Sequence, residues 1–145
     1  VCENNLYGIG TRIDRSTAVV EQYKRECGYN IPAMQVDGQD VEKVYAAAKT
    51  AVEHVRAGKG PYFLELMTYR YRGHSMSDSN AYRAKEEERM WSKRDPIIML
   101  RDRLIKAKTI TMNDYKKMDD EVLDQIENEV IKFAEQSPEP KLEEL

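Results

Sequence analysis

At 145 residues the chain is one domain at most, or part of a larger one. Its hydrophobic fraction of 41% is enough for a core, and its charged fraction of 34% points to long solvated helices. With 23 basic against 26 acidic residues the net charge is −3, which removes the case for whole-chain nucleic-acid binding, and no apolar run has the length of a membrane span.

The chain opens on Val1-Cys2-Glu3-Asn4-Asn5-Leu6-Tyr7-Gly8-Ile9-Gly10, a short apolar start running into two asparagines and a glycine-punctuated loop. This reads as a strand end that gathers amide and carbonyl oxygens. Asp14-Arg15-Ser16-Thr17 then offers N-cap residues for a short helix carrying Val19, Val20 and Tyr23, stopped by Gly28 and Asn30. Ile31 to Val36 reads as a strand, with Pro32 near its start and a turn at Asp37-Gly38. Asp40 caps a helix whose apolar face is Val41, Val44, Ala48, Ala51 and Val55, ended by Gly58-Lys59-Gly60. Tyr62 to Tyr69 is a second strand, apolar except for Glu65, as expected of a strand buried on both faces. Strand, helix and strand in this order predict a βαβ unit in a parallel sheet with a right-handed crossover.

Residues 70–84 are polar and rich in Gly, Ser, Asn and Arg, and read as a loop. Lys85 to Lys93 follows as a charged helix whose Glu86-Glu87-Glu88 run is a solvated face. Asp95-Pro96 starts another helix, with Ile97, Ile98, Leu100, Leu104 and Ile105 on its buried side. Thr111, with Asp114 three residues on, caps the last helix. Tyr115, Met118, Val122, Ile126, Val130 and Phe133 form its apolar stripe, expected to serve as core or subunit interface. Ser137-Pro138-Glu139-Pro140 ends it.

In open parallel sheets, ligands bind beyond the carboxyl ends of the strands. Both polar loops follow strand ends, so Asn4, Asn5, Leu6 and Tyr7 share a rim with Arg70, Arg72, His74 and Ser75. Oxygen donors suit a hard cation such as Mg²⁺, and the arginines suit phosphate oxygens. Together they suggest a metal–diphosphate ligand. Side chains alternate along a strand, so at most one of Arg70 and Arg72 points at the site. His54, beside Val55 on the crossover helix, is a solvent or packing residue. Cys2 and Cys27 have no disulfide or metal spacing and read as reduced thiols of an intracellular protein.

Cys2 to Thr11 resembles the closing half of the thiamin-diphosphate motif, which opens with Gly-Asp-Gly and ends in Asn-Asn. Thr68-Tyr69-Arg70-Tyr71-Arg72-Gly73-His74-Ser75-Met76-Ser77-Asp78 resembles the histidine loop of the α subunit of pyruvate dehydrogenase (acetyl-transferring), a thiamin-diphosphate-dependent 2-oxoacid dehydrogenase. Val36-Asp37-Gly38, Gly58-Lys59-Gly60-Pro61, Tyr82-Arg83, Asp95-Pro96-Ile97 and Pro138-Glu139-Pro140 fall in the family's order. The resemblance implies an α/β fold: the C-terminal half of a thiamin-diphosphate-binding parallel-sheet domain over 1–84, with an active-site loop at 70–84, and a helical C-terminal region over 85–145.

The resemblance also implies roles. Asn5 gives its side-chain oxygen and Tyr7 its main-chain oxygen to Mg²⁺. His74 lies against the cofactor diphosphate as the catalytic-loop histidine. Ser75 matches a serine phosphorylated by kinases in mitochondrial relatives, while a second such serine has no counterpart near Ala81. Thiamin diphosphate attacks pyruvate, carbon dioxide leaves, and the acetyl unit passes to a lipoyl group of dihydrolipoamide acetyltransferase. A β subunit completes a heterotetramer, and neither nucleic acid nor membrane is a partner. Arg72 stands where animal forms have histidine, which implies the bacterial cytoplasm, the mitochondrial matrix being the alternative. The chain starts at Val1 inside an apparent strand, so a C-terminal fragment, inactive in isolation and lacking the Gly-Asp-Gly half, is expected. The alternatives are a branched-chain 2-oxoacid dehydrogenase α subunit and a non-catalytic scaffold.

Overall fold

The computed structural model describes residues 1–144. It begins with β1 (Cys2–Asn4) and a small hairpin of β2 (Tyr7–Gly8) and β3 (Thr11–Arg12). A 3₁₀ segment, Gln22–Gly28, leads to β4 (Ala33–Asp37), α1 (Val41–Arg56) and β5 (Phe63–Met67). Helices α2 (Lys85–Ser92), α3 (Pro96–Lys106) and α4 (Met112–Gln125) follow. The last helix continues through a π segment, Ile126–Ile131, into α5 (Lys132–Gln136). Two compact units result, Val1–Leu100 and Arg101–Leu145. Among the described residues no helix is long and apolar enough to cross a membrane.

The first unit is built on a three-stranded sheet in the order β1-β5-β4, parallel throughout. The chain is therefore α/β, and β4-α1-β5 is the expected βαβ unit. Asp40 caps α1 by accepting from the amides of Glu42 (3.2 Å) and Lys43 (3.4 Å). At the other end Gly58 N donates to Val55 O and Lys59 N to His54 O, the paired bonds of a Schellman ending. Gly58 takes φ 70°, a left-handed value that glycine adopts without a Cβ clash.

Val36, Ala47, Ala51 and Leu64 form the buried core, flanked by Met34, Val44, Ala48, Tyr62 and Leu66. The buried stripe of α1 therefore runs through two alanines, which let the helix approach the sheet closely. This corrects the expected stripe at its ends: Val41 and Val55 are exposed. The region expected to be a helix around Val19 and Val20 is also different. Both valines are exposed, between a short 3₁₀ turn at Ile13–Arg15 and the 3₁₀ segment starting at Gln22, which has no side-chain cap.

Side chains alternate along β5, so Leu64 faces α1 while Glu65 faces the opposite side of the sheet. There the 3₁₀ segment lies across the strands, its first amides directed at Glu65. The start of α3 is capped as expected: Asp95 Oδ1 accepts from the amides of Ile97 (2.9 Å) and Ile98 (3.2 Å). Its apolar side is narrower than expected. Leu100, Leu104 and Ile105 are half-buried, whereas Ile97 and Ile98 are exposed.

In the second unit, Thr111 and Asp114 make a complete capping box at the start of α4. The stripe predicted as core or interface does not form a core of this chain: Met118, Val122, Ile126, Val130 and Phe133 are all exposed.

Candidate functional site

The register sets the site. Asn4, Met67 and Asp37 lie abreast at the carboxyl ends of the three strands. The loops after β1 and β5 therefore leave the sheet from the same rung, as the parallel topology predicts.

Asn4 is buried and uses both ends of its amide. Nδ2 donates to Glu65 Oε1 at 2.6 Å, and Oδ1 accepts from Leu6 N at 3.0 Å. Asn5 Oδ1 accepts from Tyr7 N at 3.0 Å. These are two successive Asx turns, in which the asparagine side chain replaces a backbone acceptor. Between them Leu6 is held at φ 70°, a conformation costly for a branched residue. Ile13 N donates to Leu6 O at 2.8 Å, so the neighbouring pair Tyr7 and Arg12 occupies a non-hydrogen-bonded position of the antiparallel ladder. At such a position both main-chain groups face away from the partner strand. The Tyr7 N–H accordingly goes to Asn5, and its carbonyl oxygen is free of the ladder. Asn4, Asn5, Leu6 and Tyr7 line an open cleft of about 260 Å³, together with Ser16 and Gln22.

Glu65 is fully buried, with 0% exposure. Its Oε1 accepts from Asn4 Nδ2 and Gln22 N (3.1 Å), its Oε2 from Tyr23 N (3.0 Å) and Gln35 Nε2 (3.1 Å). Burial pushes the carboxyl up, but these four donors outweigh it and hold the group below the usual glutamate value. It is thus a buried carboxylate stabilised by hydrogen bonds to its charged form. Sequence reasoning noted Glu65 only as a break in an apolar run. That break, a single charge in a strand expected to be buried on both faces, was the available signal.

The second loop is ordered around Asp78 and Arg83. Asp78 accepts from His74 N (2.7 Å), Asn80 N (2.9 Å) and the Tyr82 hydroxyl (2.7 Å). Those bonds, His74 N–H first, with the nearby Arg70 charge, hold its carboxyl down to about 2. Gly73 permits this turn, because a Cβ there would lie 2.6 Å from the Asp78 carbonyl oxygen. Arg83 has a fully buried side chain. It donates to the Arg70 carbonyl, to Arg72 O (3.1 Å) and to Asn80 Oδ1 (2.6 Å), and lies 3.9 Å from the Glu88 carboxylate.

Arg70, Tyr7 and Tyr82 tie the loops to each other and to α2. Arg70 Nη2 donates to Ile9 O (3.1 Å) and to the Tyr82 hydroxyl (3.3 Å), while Nη1 is 3.3 Å from His74 Nδ1. The Tyr7 and Tyr82 rings lie 5.7 Å apart, and the Tyr7 hydroxyl donates to Glu87 at 3.1–3.2 Å. Gly10 leaves room for the Tyr82 ring. The glutamate run is therefore not one solvated face. Glu86 is in solvent, but Glu87 holds Tyr7, and Glu88 accepts from Asn80 and pairs with Arg83.

Of the residues singled out from sequence, Asn5 holds Tyr7 and Arg70 meets His74, and the Arg70–Ile9 bond ties the two pairs' loops together. Arg70 points inward, and its buried Nε has no hydrogen-bond partner among the described residues. Arg72 is exposed and contributes its carbonyl to Arg83. Ser75 is exposed, 3.1 Å from the Ser77 hydroxyl. His54 packs edge-on against Tyr62 on the far side of the sheet, at 5.5 Å. No cluster of three or more His, Cys, Asp or Glu side chains occurs among the described residues. A cation at this rim would rely on amide and carbonyl oxygens, the donors that hard cations accept.

Residues 1–143 match the family described as "Dehydrogenase E1 component". The chain is 49% identical over its whole length to the human testis-specific mitochondrial pyruvate dehydrogenase E1 component subunit alpha, covering 37% of that protein. It is 46% identical to the human somatic mitochondrial form (37% covered) and to the pyruvate dehydrogenase E1 component subunit alpha of Rhizobium meliloti strain 1021 (42% covered). It thus spans 37–42% of the length of these relatives. By a match that runs through both loops and the helices, this chain belongs to the dehydrogenase E1 component family.

Proposed function

We propose that the chain is the part of an α subunit of pyruvate dehydrogenase (acetyl-transferring) that holds the Mg²⁺–diphosphate end of thiamin diphosphate. The observation that carries this reading is the Tyr7 carbonyl, turned out of its ladder beside Asn5 Oδ1, on the rim that also holds His74. Asn5 Oδ1 and Tyr7 O are two of the oxygen ligands. The rest of the shell would come from phosphate oxygens and from a carboxylate of the Gly-Asp-Gly half of the motif. Thiamin diphosphate, when bound, supplies the carbanion that attacks the 2-oxo carbon and the electron sink for loss of carbon dioxide.

The chain's own residues bind and orient. His74 lies against the diphosphate and orders the channel through which a lipoyl group arrives. Arg70 positions the imidazole through the Nη1–Nδ1 contact. Ser75, exposed beside His74, is the candidate regulatory phosphorylation site. The names of the relatives support pyruvate over a branched-chain 2-oxoacid as substrate. A β subunit and a lipoyl-bearing dihydrolipoamide acetyltransferase are the partners. Mitochondrial and bacterial relatives both occur, and Arg72 supports the bacterial cytoplasm.

The test is a calorimetric Mg²⁺ and thiamin diphosphate titration of the full-length protein in its assembled form. Asn5→Ala weakens Mg²⁺-dependent cofactor binding. His74→Ala lowers acetyl transfer to lipoyl groups while the fold survives. The isolated 145-residue chain gives no measurable cofactor binding. Unchanged values in both variants, or micromolar binding by the isolated chain, refute the reading.

A further inference from the structure

We infer that Glu65, remote from the opening of the cleft, is a positioning residue for the cation ligands. It fixes the Asn4 amide and, through it, the turn that carries Asn5 and Tyr7. The inference rests on the metal-binding reading of Asn5 and Tyr7.

The chain of contacts is short and directional. A carboxylate only accepts, so Glu65 obliges Asn4 to present Nδ2 to it at 2.6 Å. The opposite end of the same amide, Oδ1, must then face Leu6 N, which it accepts at 3.0 Å. That bond keeps Leu6 at φ 70°. A branched residue persists in the left-handed region only where its surroundings over-determine it. Leu6 in turn sets the course of the chain between Asn5 and Tyr7, whose side-chain and main-chain oxygens lie on either side of it and which are joined by the Tyr7 N–Asn5 Oδ1 bond.

Glu65 is itself immobilised. Its register partners are Cys2 on β1 and Gln35 on β4, so it stands in the middle of the sheet. Gln35 and the first amides of the 3₁₀ segment occupy its remaining lone pairs. A buried carboxylate with no adjacent cation costs several kcal/mol unless fully hydrogen-bonded. The acceptor-only group is needed where an amide must not flip.

Glu65→Gln introduces a donor that can reverse the Asn4 amide. Gln35→Leu removes one donor to the same carboxylate but leaves the Asn4 bond in place. Asn4→Ala cuts the link from the other side and serves if Glu65→Gln does not assemble. All are made in the full-length assembled protein, and half-saturating Mg²⁺ for thiamin diphosphate binding is read by calorimetry. Amide hydrogen exchange at Leu6 and Tyr7 is read in the metal-free protein.

The expected result is a loss of Mg²⁺ affinity of about ten- to a hundred-fold in Glu65→Gln and Asn4→Ala, the range for groups behind a ligand. Leu6 and Tyr7 exchange faster in both. Gln35→Leu loses thermal stability but keeps Mg²⁺ affinity within about two-fold, because the Asn4 turn is intact. Equal losses of affinity in Gln35→Leu and Glu65→Gln overturn the inference in favour of a purely structural role. Unchanged affinity in Glu65→Gln or Asn4→Ala, with affinity lost in Asn5→Ala, overturns it while the metal reading stands. Unchanged affinity in Asn5→Ala overturns the metal reading, and the inference with it.

Discussion

The guanidinium carbon of Arg83 lies 5.0 Å from the centre of the Tyr69 ring, so a buried cation is stacked on the last residue before the second loop. The same group lies 5.6 Å from the Tyr7 ring and 5.8 Å from the Tyr82 ring. One side chain thus touches the first loop, both ends of the second and, through Glu88, helix α2. Replacing it with lysine keeps the charge but not the planar fork that reaches the carbonyls of Arg70 and Arg72 and the Asn80 side chain. Arg83→Lys is expected to cost about 2–4 kcal/mol through acceptors left without donors. Urea unfolding of the full-length protein measures the loss, and hydrogen exchange should locate it to residues 70–84.

Asp78 predicts a pH dependence confined to acid. Its folded-state pKa, about 2, lies below the ordinary 3.8, so the ordered loop binds the proton less readily than the unfolded one. The contribution is complete above pH 3.8 and is lost as pH falls through about 2. Asp78→Asn should therefore loosen the loop at neutral pH, with the difference from the unmodified protein vanishing as pH approaches 2. Amide exchange at His74 and Asn80 reads this directly. A difference of constant size down to pH 2 contradicts the assignment.

Gly38 is required by close approach rather than by its own φ. A Cβ there would lie 2.6 Å from Thr68 Cγ2 and 2.8 Å from Met67 O, where Gly38 N donates to Met67 O at 2.9 Å. Gly38→Ala must separate the ends of β4 and β5 and is expected to cost about 1–3 kcal/mol. Chemical denaturation tests the loss. Gly8→Ala is the control, because no atom lies within 4 Å of its Cβ position.

The helical C-terminal unit depends on its cap. Thr111→Ala removes the acceptor for Asp114 N (3.2 Å) and the donor to Asp114 Oδ2 (2.7 Å). A loss of about 1 kcal/mol is expected. Asp114→Ala, which breaks the reciprocal half, should lose a similar amount, and the double variant should lose less than the sum. Thermal unfolding followed by circular dichroism measures all three.

Features decided within a few residues were legible in the sequence. Asp40, Asp95 and the Thr111–Asp114 pair cap their helices as read, and the βαβ order produced the parallel sheet. That the loops after β1 and β5 leave the sheet at the same rung followed from that topology alone. What escaped depends on distant partners. Glu65 takes its donors from residues 30 to 61 positions away, and no periodicity marks them. Arg83 and Glu87 likewise gain their meaning from Tyr69 and Tyr7. Val19 and Val20 misled because two adjacent valines behind cap residues have the composition of a helix face, whereas both are exposed and Thr17 Oγ1 only closes a local turn with Val19 N. In α1 the predicted face was right in its middle, where Val44, Ala48 and Ala51 meet the core, and too long at its ends, where Val41 and Val55 lie beyond the sheet and stay exposed.

The contacts that shape the Asn-Asn loop also dictate when it can form. Asn4 reaches Glu65 across 61 positions, Ile9 reaches Arg70 across 61, and Tyr7 reaches Glu87 across 80. None of these can be made while the nascent chain is shorter than the span it must close, and each closure costs chain entropy before it returns energy. The Asn-Asn loop, synthesised before the residues it needs, is therefore among the last parts to reach its final shape, after β4, α1 and β5 have docked. Slow refolding of the Leu6 and Tyr7 amides, behind those of α1, is the kinetic trace this architecture leaves.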